Sequence, residues 1–241
     1  EGTPVISQFY PGYVERNGFY IKSNYTYKFS RYLKTKLFVD YYSKKGLGFG
    51  GEVYKYDPTK IKFDISYYRI DEKDSKIMWG SNGGLWYRMY LQNHKEIYLQ
   101  SFSRMLSDPD FNNRYFRSNP FSISDDKQWD FSLTYKMLGS YMRLGIGEVY
   151  LRSGNLFKRS TSRMPKFEYQ FLTKKIANTP INHSFHLSFE NSNFNDSGYA
   201  KKINYSHTFS SSFNILKNFS FYNSFSYSSY VEFSTVSYKN D

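Results

Sequence analysis

Polar and apolar side chains alternate with period two along much of this chain. Over 19–29 the odd positions are Phe19, Ile21, Ser23, Tyr25, Tyr27 and Phe29, and the even ones are Tyr20, Lys22, Asn24, Thr26 and Lys28. Successive strand residues point to opposite sides, so the segment predicts a strand with one greasy and one polar face. The template returns at Ile61, Phe63, Ile65 and Tyr67 against Lys62, Asp64 and Ser66. It returns at Trp129, Phe131, Leu133, Tyr135 and Met137 against Asp130, Ser132, Thr134 and Lys136. Two further copies run through Phe185, Leu187 and Phe189 and through Phe219, Phe221, Phe225 and Tyr227, the last interrupted at Tyr222 and Asn223.

Turn cues separate these runs: Gly18, Asp57-Pro58, Gly80-Ser81-Asn82-Gly83-Gly84, Asn93-His94, Leu138-Gly139-Ser140, Asn195-Asp196-Ser197-Gly198 and Lys217-Asn218. Counting between them predicts about thirteen strands of about nine to twelve residues, the length a tilted strand needs to cross a bilayer. Residues 106–126 and 152–164, rich in Asp, Asn, Ser, Pro and Arg, are expected as long loops among short turns. A soluble sandwich or solenoid is the rival. Sandwich strands are about half as long, and no fixed-period repeat is visible. The expected fold is therefore all-β, an antiparallel transmembrane β-barrel. An odd count, and an end at Tyr238-Lys239-Asn240-Asp241 instead of an aromatic residue, predict an incomplete part of a larger barrel. Residues 1–17 are expected as a lead-in and 18–238 as strands and loops of one partial domain.

Composition sharpens this picture. Aromatics make up 22% of the 241 residues, yet mean hydropathy is -0.68, so apolar content is thinly spread among polar positions. No run approaches the ~18 apolar residues of a membrane helix, which a barrel does not need. With no Cys, disulfide frameworks and thiolate zinc sites are excluded. The net charge, 33 − 21 = +12, reads either as a general excess of lysine or as charge that meets an anionic partner such as nucleic acid or anionic lipid. Without a block of about five like charges, nucleic acid is disfavoured.

Catalytic chemistry finds little footing. His94, His183, His186 and His207 lack zinc-protease spacing, and on a strand His183 and His186 would face opposite ways. Gly46-Leu47-Gly48-Phe49-Gly50-Gly51 resembles a dinucleotide loop only superficially, because Glu52-Val53-Tyr54 continues a strand where a helix is required. Small residues there suit close approach by a neighbouring backbone or bulky side chain. Asp108 and Asp110 flank Pro109 without the glycine and terminal Glu of a calcium loop. No enzyme activity, cofactor or metal site is expected.

Four short motifs resemble a known family. Tyr41-Tyr42-Ser43-Lys44-Lys45-Gly46-Leu47-Gly48-Phe49-Gly50-Gly51-Glu52 is similar to the early-barrel signature of the LptD family, with Lys45 in place of the usual Arg. Tyr10-Pro11-Gly12-Tyr13 with Asn17-Gly18-Phe19-Tyr20, Ser107-Asp108-Pro109-Asp110-Phe111, and Arg163-Met164-Pro165-Lys166-Phe167 resemble later and flanking motifs in the expected order. The resemblance covers residues 10 to about 170. It implies insertion of lipopolysaccharide into the outer leaflet of the cell outer membrane through a lateral gate. The implied partners are an LptE-like plug lipoprotein, a periplasmic LptA-like bridge and the barrel-assembly machinery. Pro4, Pro11, Gly18, Phe19 and Tyr20 become the gate candidates, with the gate at the first strand, around 18–29. Lys22, Lys28, Lys34, Lys36, Lys62 and Arg88 become basic lumen candidates. The alternative reading is a general outer-membrane porin or nutrient-uptake barrel.

Overall fold

The computed structural model describes residues 3–73, 76–115, 126–194, 198–216 and 219–235. Thirteen strands follow in order: β1 (Thr3–Val14), β2 (Gly18–Lys28), β3 (Leu33–Tyr42), β4 (Gly46–Asp57), β5 (Ile61–Glu72), β6 (Ile77–Tyr90) and β7 (Glu96–Leu106). After one short helix, α1 (Phe111–Tyr115), come β8 (Lys127–Met137), β9 (Ser140–Ser153), β10 (Leu156–Lys175), β11 (Ile181–Phe194), β12 (Gly198–Leu216) and β13 (Phe219–Thr235). They form one sheet in strict sequence order, each strand beside its predecessor. The fold is all-β and antiparallel, the hairpin meander of a barrel wall.

Several local expectations are revised. Residues 1–17 hold β1, paired with β2 from Thr3↔Lys28 to Val14↔Gly18. The expected loop at 152–164 is mostly strand. Gly154 turns the chain at φ +62°, and Thr161–Arg163 already ladder with β11. Its polar composition hid a continuing pleat. Gly80–Gly84 is no turn but the middle of β6, paired with Tyr68 through Asp64 of β5. The cues at Asn195–Ser197 and Lys217-Asn218, the end at 238–241 and loop residues 116–125 lie outside the described residues.

The chain divides into two compact units. The first comprises Glu1–Arg88, Gln100–Asp130 and Val149–Arg159. Its register places Phe19, Ile21, Leu37, Val39, Tyr41, Leu47, Phe49, Val53, Ile65 and Tyr67 on one side, and all are exposed. The other side carries a small core of Tyr42, Tyr68, Ile70, Met78 and Leu106, closed by Phe111 and Tyr115 from α1. Tyr42, Ile70 and Phe111 are 0% exposed. A soluble domain buries its aliphatic side, whereas this unit exposes it and covers part of its polar side.

The second unit comprises Met89–Leu99, Phe131–Glu148 and Ser160–Asp241. Phe167, Tyr169 and Phe171 of β10 lie opposite Phe189, Leu187 and Phe185 of β11. The aromatic stripe continues to Tyr205 and Phe209 of β12 and to Phe225 and Tyr227 of β13. The reverse face pairs Lys166 with Glu190 and Glu168 with Ser188. The two-faced alternation read from the sequence is therefore present in both units.

Candidate functional site

The polar face of the first unit is built by register. On β2 and β3, Lys22 lies opposite Asp40, Thr26 opposite Lys36 and Lys28 opposite Lys34. On β3 and β4, Lys36 lies opposite Glu52 and Lys34 opposite Tyr54. Lys62 of β5 faces Trp86 of β6, and Arg88 follows two residues later on the same side. The six basic residues singled out in the sequence thus share one face. Asp40 is the acid that sequence reading missed. It accepts hydrogen bonds from Tyr68 Oη at 2.8 Å, Tyr42 Oη at 3.4 Å and the Ser23 N–H at 3.1 Å. Counting back through the β2–β3 turn from Lys22 would have found it.

A segment between β7 and β8 lies over this face. Ser107 Oγ accepts the Trp79 N–H at 2.8 Å, and Lys76 Nζ meets Asp108 Oδ2 at 2.6 Å. Asp110 joins Arg152 at 2.8 Å and Arg114 at 3.5 Å. Glu72, buried on β5, gathers Lys45 at 3.6 Å, Arg114 at 3.9 Å and the Tyr115 hydroxyl. Asn17 donates to the Arg114 carbonyl at 3.1 Å. Burial alone would raise the Asp108 carboxyl. Hydrogen bonds from Lys76 and the Asp110 N–H, with the charges of Lys76 and Arg114, outweigh it and hold the group below the usual carboxylate range. Such a network of mutual ion pairs fixes a chain segment in place better than isolated surface pairs do.

Glycines make room for this packing. A Cβ on Gly48 would overlap the Tyr68 hydroxyl, and one on Gly80 would overlap the Phe111 ring. These contacts explain the glycine-spaced motif: Tyr42, Lys45, Gly46, Gly48, Ser107 and Asp108 belong to the framework that seats residues 107–115. Ser43 donates its backbone N–H to the Phe19 carbonyl at 2.8 Å, and Gly51 lies opposite Leu37. Arg163 belongs to the second unit, where it reaches Glu190 at 3.5 Å, and Pro165 follows in the same strand.

Beside the 29–32 and 58–60 turns of the first unit is an open cavity of about 660 Å³. Arg31, Lys34 and Lys36 line it with Tyr32, Tyr54 and Tyr56, and Glu52 is its one acid. Glu52 is engaged by Lys36 at 3.8 Å. Lys62 sits 4.8 Å from the Tyr56 ring and 5.3 Å from that of Trp86. Among the described residues, Lys28 and Lys34 have no carboxylate within ion-pair distance. Two like charges directly across a ladder destabilise it unless an anion or water screens them. In the second unit the structure brings His183 and His207 together, which their 24-residue separation did not suggest. Among the described residues no group of three or more His, Asp or Glu is placed to hold a metal.

Comparison with known proteins finds no matching family model and no matching curated protein. Among solved structures, OccK10 (OpdN) of Pseudomonas aeruginosa is similar at TM-score 0.36 and 10% identity, covering 95% of this chain and 87% of that one. OccAB1 of Acinetobacter baumannii is similar at TM-score 0.38 and 8% identity, covering 98% and 75%. Likeness at this level transfers neither residues nor solutes. The outer-membrane location is carried by the chain itself, through strands of crossing length that expose an apolar face.

The resemblance to the LptD family is corrected by these findings: no family model and no curated protein matches, and the solved structures that do match are OccK10 and OccAB1. With it fall lipopolysaccharide transport and the partners drawn from it: lipopolysaccharide, the LptE-like plug and the LptA-like bridge. A local reason is visible. Gly18, Phe19 and Tyr20 were expected in a loosely paired first strand. They begin β2, which ladders with β1 on one edge and β3 on the other. Pro4 and Pro11 lie within β1, and Pro11 is in register with Ile21.

Proposed function

We propose that this chain forms the wall of an outer-membrane uptake channel that favours small anionic solutes. The reading rests on one observation, the basic cavity of Arg31, Lys34 and Lys36 among tyrosines, with Lys28 directly opposite Lys34. A face of fixed positive charge bounded by a low-dielectric wall concentrates anions and speeds their entry. Tyrosine rings add flat surfaces on which a planar solute can stack. The seated segment 107–115 adds bulk over the same face and sets how much of it a solute can reach. No bond-making step is assigned.

The test is a reversal potential. Full-length protein reconstituted in a planar bilayer under a potassium chloride gradient should conduct with anion preference. Lys28→Glu with Lys34→Glu should move the preference toward cations. Substituting the equally charged Lys201, on a strand of the second unit, should have a smaller effect. Absence of conductance, or a selectivity that ignores the Lys28 and Lys34 charges, would overturn the reading and leave these lysines as ordinary solvated wall residues.

A further inference from the structure

The cavity beside the 29–32 and 58–60 turns has an order that its contents alone do not show. Three rows cross the polar face there. The deepest sets Thr26 opposite Lys36 and Lys36 opposite Glu52. The middle row runs from Lys28 through Lys34 and Tyr54 to Asp64. The row nearest the turns holds Tyr32, Tyr56 and Lys62, with the Tyr56 N–H donating to the Tyr32 carbonyl at 2.9 Å. Rows on one face are two residues apart, about 6.6 Å along a strand. A pair of facing cations therefore lies one such step from a pair of rings. Tyr32 and Tyr56 are 46% and 57% exposed, so each keeps ring surface open. Arg31, 5.7 Å from the Tyr32 ring, adds a guanidinium.

We propose that this cavity takes a phosphate monoester whose flat ring is set one sugar away from the charge, in chemical class a nucleoside monophosphate. The inference rests on the channel reading, whose cavity it shares, and narrows the anion that the cavity prefers. Charge makes the first selection. Lys28 and Lys34 face each other directly, and among the described residues neither has a carboxylate within ion-pair distance. Like charges in that position repel, and a single carboxylate between them compensates only one. A phosphate monoester carries about −1.5 to −2 at pH 7 and presents three acceptor oxygens. That is enough for both ammonium groups and for the planar fork of Arg31.

Spacing makes the second selection. A carboxylate bonded directly to a ring keeps its charge at the ring's edge. Such a solute meets the lysine pair with its ring on Tyr54, or lies on Tyr32 and Tyr56, because the step of about 6.6 Å separates the two rows. A sugar between phosphate and base spans that step. Stacking on tyrosine tolerates any base, since every base has a flat face, so no preference among bases is assigned. The nearby acids leave the lysine pair charged. Glu52 is engaged by Lys36 at 3.8 Å, and Tyr54 stands between Lys34 and Asp64 in their row. Contacts of this kind remain open to water, which suits a solute that must also leave.

The experiment is calorimetric titration of full-length protein in detergent micelles, which needs no conductance. The probes are adenosine monophosphate, adenosine, inorganic phosphate and benzoate. The monophosphate should bind roughly tenfold or more tightly than any of the other three. Lys28→Gln with Lys34→Gln should weaken it by roughly tenfold. Tyr56→Leu should cost the monophosphate more than it costs inorganic phosphate, and Tyr32→Leu serves should that variant fail to fold. Lys201→Gln, in the second unit, should bind as the parent does. The inference is overturned if the monophosphate binds no better than phosphate, adenosine or benzoate, or if the paired lysine variant binds it as the parent does. If that happens while a bilayer still shows anion preference, the channel reading stands and only the narrower choice of solute falls. Tight binding of the monophosphate without conductance would keep the site and remove the channel.

Discussion

At the scale of single residues, the polar face is held by very tight local fits. Gly80 is the clearest, because Phe111 rests directly on its Cα and Leu106 Cδ2 would lie 3.1 Å from any Cβ. Gly80→Ala should therefore unseat Phe111 at a cost of about 1–3 kcal/mol, the usual range for overpacking, seen as faster proteolysis at residues 107–115 and a lower melting temperature. Asp108 supplies a second residue-level prediction. Its carboxyl is held below the usual range, so its contribution is fully present above the unfolded value of about 3.9. The contribution is lost as pH falls through the lower folded value. Hydrogen exchange at the Asp110 amide, which bonds Asp108 Oδ1 at 2.8 Å, should accelerate at pH below about 4 in the parent. In Asp108→Asn that acid step should be missing. At this scale the sequence was partly legible. Alternation placed Lys22, Lys28, Lys34, Lys36 and Lys62 on one face, because parity alone decides it. Phe111, Tyr115 and Glu72 were not legible, because the contacts among them join strands and a loop separated by about forty residues, and no period encodes that.

At the scale of elements, faces determine tolerance. Phe131 and Leu133 of β8 are 37% and 40% exposed on the apolar side, and Thr134 faces the other way. Phe131→Arg or Leu133→Arg should each destabilise the protein in lipid by about 2–4 kcal/mol if near the midplane, while Thr134→Arg should cost much less. Denaturant titration in lipid vesicles measures this, and equal damage from both faces would contradict a lipid-facing side. Turn cues were good where the chain really reverses: Asn93 and His94 take φ of 59° and 56°, and Gly139 takes 78°. They misled at Gly80–Gly84, because glycine serves two purposes. It permits left-handed turns, and it also leaves space for a bulky neighbour, and only the partner residue distinguishes the two. The loop expected at 152–164 failed for a related reason, since polar strands resemble loops in composition.

At the scale of the whole molecule, the short motifs that suggested a family turn out to be local solutions. Tyr42, Lys45, Gly46 and Gly48 are required wherever Tyr68 and the seated segment must pack against a tight hairpin, and Ser107 and Asp108 fasten that segment. Such motifs follow from hairpin packing, so they indicate a wall with a covered face without indicating what crosses it. The exposed side has a more general consequence. Leu37, Val39, Tyr41, Leu47, Phe49, Val53, Ile65 and Tyr67 stand on three successive strands and are 38% to 59% exposed. Soluble monomers rarely leave a contiguous apolar patch beyond a few hundred Å². Hydrocarbon removes that penalty while requiring backbone groups to be paired, and the strand-by-strand ladder pairs those between neighbouring strands. Folding should therefore depend on an amphiphile. Protein diluted from urea into detergent micelles or short-chain lipid vesicles should recover the circular-dichroism signal of a sheet and resist trypsin along its strands. Diluted into plain buffer at the same pH, it should aggregate or remain unstructured, because the net charge of +12 slows association without covering any apolar surface. A monodisperse, protease-resistant monomer in plain buffer would show that the apolar face has another cover within the protein, and the membrane assignment would then have to be abandoned.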